Sequence, residues 1–178
     1  MIKKISRCIS DKETMTLLED IPNEIIVTIL SYLCATQAVI GFSKLNSRFE
    51  NLLREFCLNF DLTSIGKNNF DLVLQIQNTN QWKSLKLSDD NYTPGQVTYF
   101  FEKYSFINQF SELQNLSLIG LEHRRSDPIF TQLPSLVNLV SLEIKSVCEA
   151  NIPEIDLPNL KKLKFSSCSS TNWLAVRT

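Results

Sequence analysis

The chain has 178 residues and a mass of 20.4 kDa, with 43% hydrophobic and 21% charged residues. That is a globular composition, which excludes a disordered or fibrous chain and leaves room for one domain or two small ones. Lys and Arg number 18 against 19 Asp and Glu, a formal charge of −1, so the basic excess that serves nucleic-acid or anionic-membrane binding is missing and neither is expected as a partner. The five cysteines, Cys8, Cys34, Cys57, Cys148 and Cys168, form no CxxC pair and stand mostly in apolar sequence, which suits free thiols in a reducing compartment. Polar residues at Ser10, Asp11, Lys12 and Glu13 occupy the place of a signal peptide's apolar core. Runs such as Ile25-Ile26-Val27 fall far below the roughly 20 residues of a membrane span. A soluble protein of the cytoplasm or nucleus is expected.

Residues 1–16 are polar and aperiodic and read as a flexible lead-in. Pro22 then opens a segment with Ile25, Ile26, Ile29, Leu30 and Leu33 at helical spacing, with Asp20 and Glu24 placed to favour the helix dipole. Thr36 is positioned to cap a second helix through Ala38, Val39, Ile40 and Phe42, and Asn46 or Ser47 to cap a third. The third helix carries Phe49, Leu52, Leu53 and Phe56 on one face, with Arg48, Glu50, Arg54 and Glu55 around the other side. Three short helices in about 40 residues enclose little by themselves, so an apolar face left over must meet a neighbouring domain or a partner.

Residues 59–81 read as a connecting strand and helix: Leu58 to Leu62 alternates like a strand, and Phe70, Val73, Leu74 and Ile76 follow at helical spacing. From Trp82 onward one pattern recurs, an apolar residue followed three and five positions later by further apolar residues. It occurs at Trp82/Leu85/Leu87, Leu113/Leu116/Leu118, Leu139/Leu142/Ile144 and Leu160/Leu163/Phe165, with successive spacings of 31, 26 and 21 residues. This brackets the period of leucine-rich repeats, in which each unit makes one short parallel strand with alternate side chains pointing into the core. Thr93-Pro94-Gly95-Gln96 reads as a capping box ahead of a helix through Val97, Phe100, Phe101 and Tyr104. Asp127-Pro128 opens a shorter helix with Ile129, Phe130 and Leu133, and Ile152 to Ile155 is long enough only for an extended segment. Solenoids need a terminal cap, so either the natural protein continues past Thr178 or Trp173, Leu174 and Val176 fold back over the last repeat.

The sequence Leu18-Glu19-Asp20-Ile21-Pro22-Asn23-Glu24-Ile25-Ile26, continued by Ile29-Leu30-Ser31-Tyr32-Leu33, by Ala38-Val39-Ile40 and by Leu45-Asn46-Ser47-Arg48-Phe49, resembles an F-box over residues 17–58. It departs from the common pattern in having Ile21-Pro22 for Leu-Pro, Gln37-Ala38 for Asp-Leu and Phe49 for Trp. With repeats over residues 82–178, the chain is similar to F-box/leucine-rich-repeat proteins. The resemblance implies a three-helix module that docks on the adaptor of an SCF-type cullin-RING ubiquitin ligase and, through it, on a cullin, while the repeats hold a target protein. Carried over by position, the adaptor-contact set is Leu18, Ile21, Pro22, Ile25, Ile26, Ile29, Leu30, Leu33, Val39 and Phe49, of which some must instead close the module on its own third helix. The strand positions pointing away from the core would line the concave face: Ser84, Lys86 and Ser88; Asn115, Ser117 and Ile119; Ser141, Glu143 and Lys145; Lys162, Lys164 and Ser166. From these, Lys86, Asn115, Ser117, Ile119, Glu143, Lys145, Lys162 and Lys164 form the expected target-binding set. The face leans basic at its C-terminal end, which suits a target with an acidic patch.

Catalytic and cofactor motifs are not found. The single histidine, His123, lies beside Arg124 and Arg125, the cysteines lack metal-ligand spacing, and the four glycines make no phosphate loop. The expected fold is α+β, a three-helix F-box module followed by an irregular, right-handed leucine-rich-repeat α/β solenoid with a short parallel sheet. A non-catalytic substrate receptor without cofactor is expected. The alternative is a leucine-rich-repeat scaffold unrelated to ubiquitination, whose helical N-terminus only caps the solenoid.

Overall fold

Pro22, with no N–H to leave unsatisfied, stands at the N-cap of helix α1 (Asn23–Ser31). The structure is a computed structural model that describes residues 18–104, 106–121, 127–146, 157–166 and 171–174. A single 3₁₀ turn, Leu18–Asp20, precedes α1 and buries none of its residues. Helix α2 (Ala35–Phe42) begins after Cys34, which makes no capping bond. Thr36, expected as the cap, is the second residue of the helix, where its hydroxyl donates to the Asp61 carbonyl at 2.7 Å and so pins α2 to the first strand. Helix α3 (Ser47–Phe56) starts as expected, with the Asn46 side chain accepting the Phe49 N–H at 3.1 Å. It buries Phe49, Leu52 and Leu53, but Phe56 is 46% exposed, because the chain leaves the helix there and Cys57 takes the inward position instead.

The strand expected at Leu58 to Leu62 is β1 (Asn59–Asp61), and it belongs to the same sheet as the strands that follow. After it come α4 (Lys67–Ile76), β2 (Ser84–Ser88), α5 (Gln96–Lys103), α6 (Phe106–Gln109), β3 (Asn115–Leu121), α7 (Asp127–Gln132), β4 (Ser141–Ser146), β5 (Lys162–Ser166) and β6 (Thr171–Leu174). The six strands lie in sequence order; β1 to β5 are parallel, and β6 turns back antiparallel along β5. Helices and a largely parallel sheet together make the fold α+β.

Register follows the recurring pattern. Phe60, Leu85, Leu116, Leu142 and Leu163 stand opposite one another, as do Leu87, Leu118, Ile144 and Phe165. Side chains alternate across a strand, so these rows point inward and are buried through β4, becoming half-buried in β5. Behind them lies an aromatic cluster. Phe60 stacks on Trp82 at 4.1 Å between ring centroids, Trp82 meets Phe110 edge-on, and Phe110, Phe106, Phe101 and Phe100 continue the chain of contacts. Each such pair adds about 0.5–1.5 kcal/mol beyond area burial.

Helix α5 forms where expected but is not capped by a Thr93/Gln96 box. Its N-cap is Gly95 at φ 78°, and the Val97 N–H is taken from a distance by the Asp89 carboxylate at 2.7 Å. Thr93 and Gln96 are buried and tie neighbouring loops together. Thr93 donates to the Ser88 carbonyl, while the Gln96 amide accepts from Ser88 N–H and donates to the Leu62 carbonyl. Ser88, in the same alternation as Lys86, is buried rather than open to solvent. Asp127–Gln132 is helical as the Asp-Pro signal implied. The segment 152–155, Val176 and the cysteines at 8, 148 and 168 lie outside the described residues. The backbones of Trp173 and Leu174 do fold back, opposite Lys164 and Leu163.

Among the described residues no helix is long and apolar enough to cross a membrane.

In β3 the register slips between Ile119 and Leu121, and Gly120 absorbs the bulge at φ 78° with its Cα against the Asp89 carbonyl. A Cβ there would overlap that carbonyl oxygen, which is backbone and cannot rotate away. Gly120→Ala is therefore expected to lower unfolding free energy by about 2 kcal/mol or more, adding left-handed strain to the clash. Urea denaturation measures it, and a loss below about 0.5 kcal/mol would contradict the reading.

Candidate functional site

The first candidate surface is on the N-terminal helices. Pro22, Ile25, Ile29 and Tyr32 follow one another at intervals of three and four residues and so share one stripe of α1 and its C-terminal turn. Ile25 is 51%, Ile29 39% and Tyr32 86% exposed, and Leu18 is exposed on the turn before them. The opposite stripe, Ile26 and Leu30, packs with Val39 and Phe49 in the core. The set carried over by position therefore divides. Leu18, Pro22, Ile25 and Ile29 face outward and Ile21 and Leu33 are half-buried, whereas Ile26, Leu30, Val39 and Phe49 close the module and present no surface. The division is a matter of helical phase: adjacent isoleucines sit about 100° apart, so Ile25 and Ile26 cannot both point the same way.

Arg48, at the start of α3, reaches across to this surface. Its Nε donates to Asn23 Oδ1 at 2.7 Å, Nη1 to the Glu19 carbonyl at 2.6 Å and Nη2 to the Ile21 carbonyl at 2.5 Å. One planar guanidinium thus binds three acceptors on the segment that carries Leu18 and Pro22.

The second candidate surface is the outward face of the sheet. Its central row, in register order, is Asp61, Lys86, Ser117, Glu143 and Lys164. Charges on this row neutralise one another. Lys86 meets Asp61 at 2.9 Å, and Glu143 gathers Lys164 at 2.8 Å, Lys145 at 3.5 Å and the Ser117 hydroxyl at 2.9 Å. Burial pushes the Glu143 carboxyl up, but hydrogen bonds from Lys164 and Ser117 and the charges of Lys145 and Lys164 outweigh it and hold the group below its ordinary 4.5. Asp61 behaves likewise: burial raises it, while hydrogen bonds from Thr63 and Lys86 take it below 3.8. The basic lean expected at the C-terminal end is thus partly cancelled by Glu143. Asn115 and Lys162 are exposed, and Ile119 is half-buried.

A cleft of about 320 Å³ opens beyond the C-terminal ends of β1 and β2, lined by Ile65, Lys67, Phe70, Tyr92, Pro94 and Tyr99 among others. Two of its polar groups serve the fold: Thr93 donates to the Ser88 carbonyl, and Gln96 joins Ser88 to Leu62 as described. Lys67 lies over the Tyr99 ring at 5.1 Å. No acid–base pair faces the cleft, and among the described residues no group of three or more His, Cys, Asp or Glu could hold a metal ion. His123, Arg124 and Arg125 lie outside the described residues. Cys34 is exposed rather than in apolar surroundings, while burial, with the nearby Cys34, pushes the Cys57 thiol up to about 11.

The chain matches no protein-family model, no curated protein and no solved structure at a significant level. Its two surfaces carry the functional reading.

Several residues of these surfaces escape the sequence reading. Tyr32 continues the exposed stripe three residues after Ile29, a spacing that was available. Cys57/Phe60/Leu62 repeats the apolar pattern one unit before Trp82, with Cys standing for Leu, and all three are buried. Asn138 and Asn159, each directly before the first Leu of a unit, donate to the Ser111 and Val137 carbonyls of the preceding turn, both at 2.7 Å.

Because its carboxyl is held low in the folded chain, Glu143 contributes stability that is present above its ordinary value near 4.5 and is lost as pH falls through the lower folded value. Glu143→Gln should therefore narrow the drop in thermal midpoint between pH 6 and about pH 3 relative to the unsubstituted chain. An unchanged acid slope in differential scanning fluorimetry would show the carboxylate to be unperturbed.

Proposed function

We propose that the protein is a substrate receptor of an SCF-type cullin-RING ubiquitin ligase, with residues 17–58 as an F-box that docks on the adaptor and the parallel sheet as a leucine-rich-repeat surface that holds a target. The observation that carries the reading is the outward stripe of Leu18, Pro22, Ile25 and Ile29, on a module whose Ile26, Leu30, Val39 and Phe49 are enclosed. A stripe of this size on a small helical unit costs solvation unless something covers it, and each Ile or Leu wholly buried in a complex would contribute about 1.5–3 kcal/mol. The stripe falls on residues that the F-box resemblance assigns to the adaptor.

The function in this reading is tethering. A receptor without acid–base groups raises the effective concentration of a bound target beside a ubiquitin-charged enzyme, so its work lies in geometry and affinity. The outward sheet face supports the second half: paired charges there fix Lys86, Glu143 and Lys164 in place, which favours a partner able to exchange hydrogen bonds with them, and exposed Lys162 favours acidic groups. A scaffold unrelated to ubiquitination is the competing reading, and one observation favours it. Thr36 of α2 is bonded to β1, so the helices do cover the first edge of the sheet. A cap, however, has no use for a stripe turned to solvent.

Calorimetric titration of the purified chain with an SCF adaptor subunit separates the two. Sub-micromolar binding is expected, with at least a hundredfold loss in Ile25→Asp, whose exposed position leaves the circular dichroism spectrum unchanged. A folded chain that binds no adaptor leaves the scaffold reading standing.

A further inference from the structure

We infer that Arg48 is a positioning residue for the N-terminal docking surface: it fixes the turn that carries Leu18 in line with Pro22, Ile25 and Ile29, so that the four apolar side chains meet a partner as one preformed patch. The inference rests on the adaptor reading above and deepens it. Helix α1 holds Ile25 and Ile29 through its own backbone bonds and ties in Pro22, whose carbonyl accepts the Ile25 and Ile26 N–H groups, but Leu18 precedes the helix. The turn that carries Leu18 buries none of its residues, and its closing bond, Ile21 N–H to the Leu18 carbonyl, is long at 3.4 Å. Half-buried Ile21 packs the segment against the core. Against this, the Arg48 guanidinium holds two main-chain carbonyls, Glu19 and Ile21, and the Asn23 side chain at the first position of α1. The acceptors span residues 19–23, so one side chain braces the segment at three points.

The chemistry asks for arginine. Two nitrogens of the fork meet the carbonyls and the third meets the amide oxygen, all in one plane, which a lysine ammonium cannot reproduce from a single point. The donors are charged and the acceptors neutral, a combination stronger than an ordinary hydrogen bond. Arg48 belongs to α3, whose Phe49, Leu52 and Leu53 are anchored in the core, so the brace refers the exposed turn to the most firmly packed part of the module. Partner affinity gains because a surface held in its bound shape loses less freedom on docking.

The test compares the full chain with Arg48→Ala and Arg48→Lys by calorimetry against the adaptor subunit, alongside thermal midpoints and amide hydrogen exchange of residues 18–23. Affinity is expected to fall about ten- to a hundredfold in Arg48→Ala and less in Arg48→Lys. Exchange should quicken in residues 18–23 while amides of α3 and the sheet keep their protection, a pattern that general destabilisation does not produce. Arg48→Ala binding as tightly as the unsubstituted chain, or losing protection uniformly, would overturn the positioning role and leave the adaptor reading intact. An unsubstituted chain that binds no adaptor would overturn that reading and this inference with it.

Discussion

Five parallel strands in register impose a period of two on everything above and below them. Once Phe60, Leu85, Leu116, Leu142 and Leu163 form one inward row, the residues between them have no choice but to face outward, and Asp61, Lys86, Ser117, Glu143 and Lys164 become neighbours. The pairs Asp61–Lys86 and Glu143–Lys164 are thus a product of register rather than of local sequence, since their members lie on different strands. The same constraint fixes the bulge at Gly120, where β3 must slip relative to β4 while the Asp89 backbone passes close by. It also sets where the helices lie, because α4 to α7, between the parallel strands β1 to β4, bring their apolar side chains to the inward side of the sheet.

The helical module attaches to this sheet through few but specific links. Thr36 bonds to Asp61, and Phe42, Phe49 and their neighbours join the continuous core. Small size decides the rest. With three helices of ten residues or fewer, one side of α1 packs inward and the other has no counterpart among the described residues. The exposed stripe and the buried one are two consequences of a single sequence, Ile25-Ile26 and Ile29-Leu30, read with helical phase.

Much of this was legible in the chain. The apolar residues three and five positions apart located four of the five parallel strands, and the Pro, Asn and Asp-Pro signals placed three helix starts, because local backbone chemistry dictates such boundaries. What escaped depended on distance. The partition of Ile25 from Ile26 needed the phase of α1 against α3, Thr36 found its acceptor 25 residues away, and Asp89 replaced the expected Thr93/Gln96 box by reaching α5 from the end of β2. Arg48 gave no sign of its contacts, since a guanidinium in an amphipathic helix looks the same whether it meets water or three carbonyl and amide oxygens. The first strand is legible from its alternation but not as a repeat unit, because Cys57 and Phe60 stand where the other units carry Leu or Trp.

The shrinking spacing of the repeating units, from 31 to 26 to 21 residues, has a mechanical corollary. Inward residues are enclosed in β2, β3 and β4 but only half enclosed in β5. Cohesion per strand therefore declines along the sheet, from an aromatic-rich end beside the helices to a thinner one. A chain graded in this way does not open as a block. Its cheapest excursions detach β6 and β5 first, while the strands around Trp82 open only with the whole, so the end nearest the helices acts as the keel on which the remaining strands are laid.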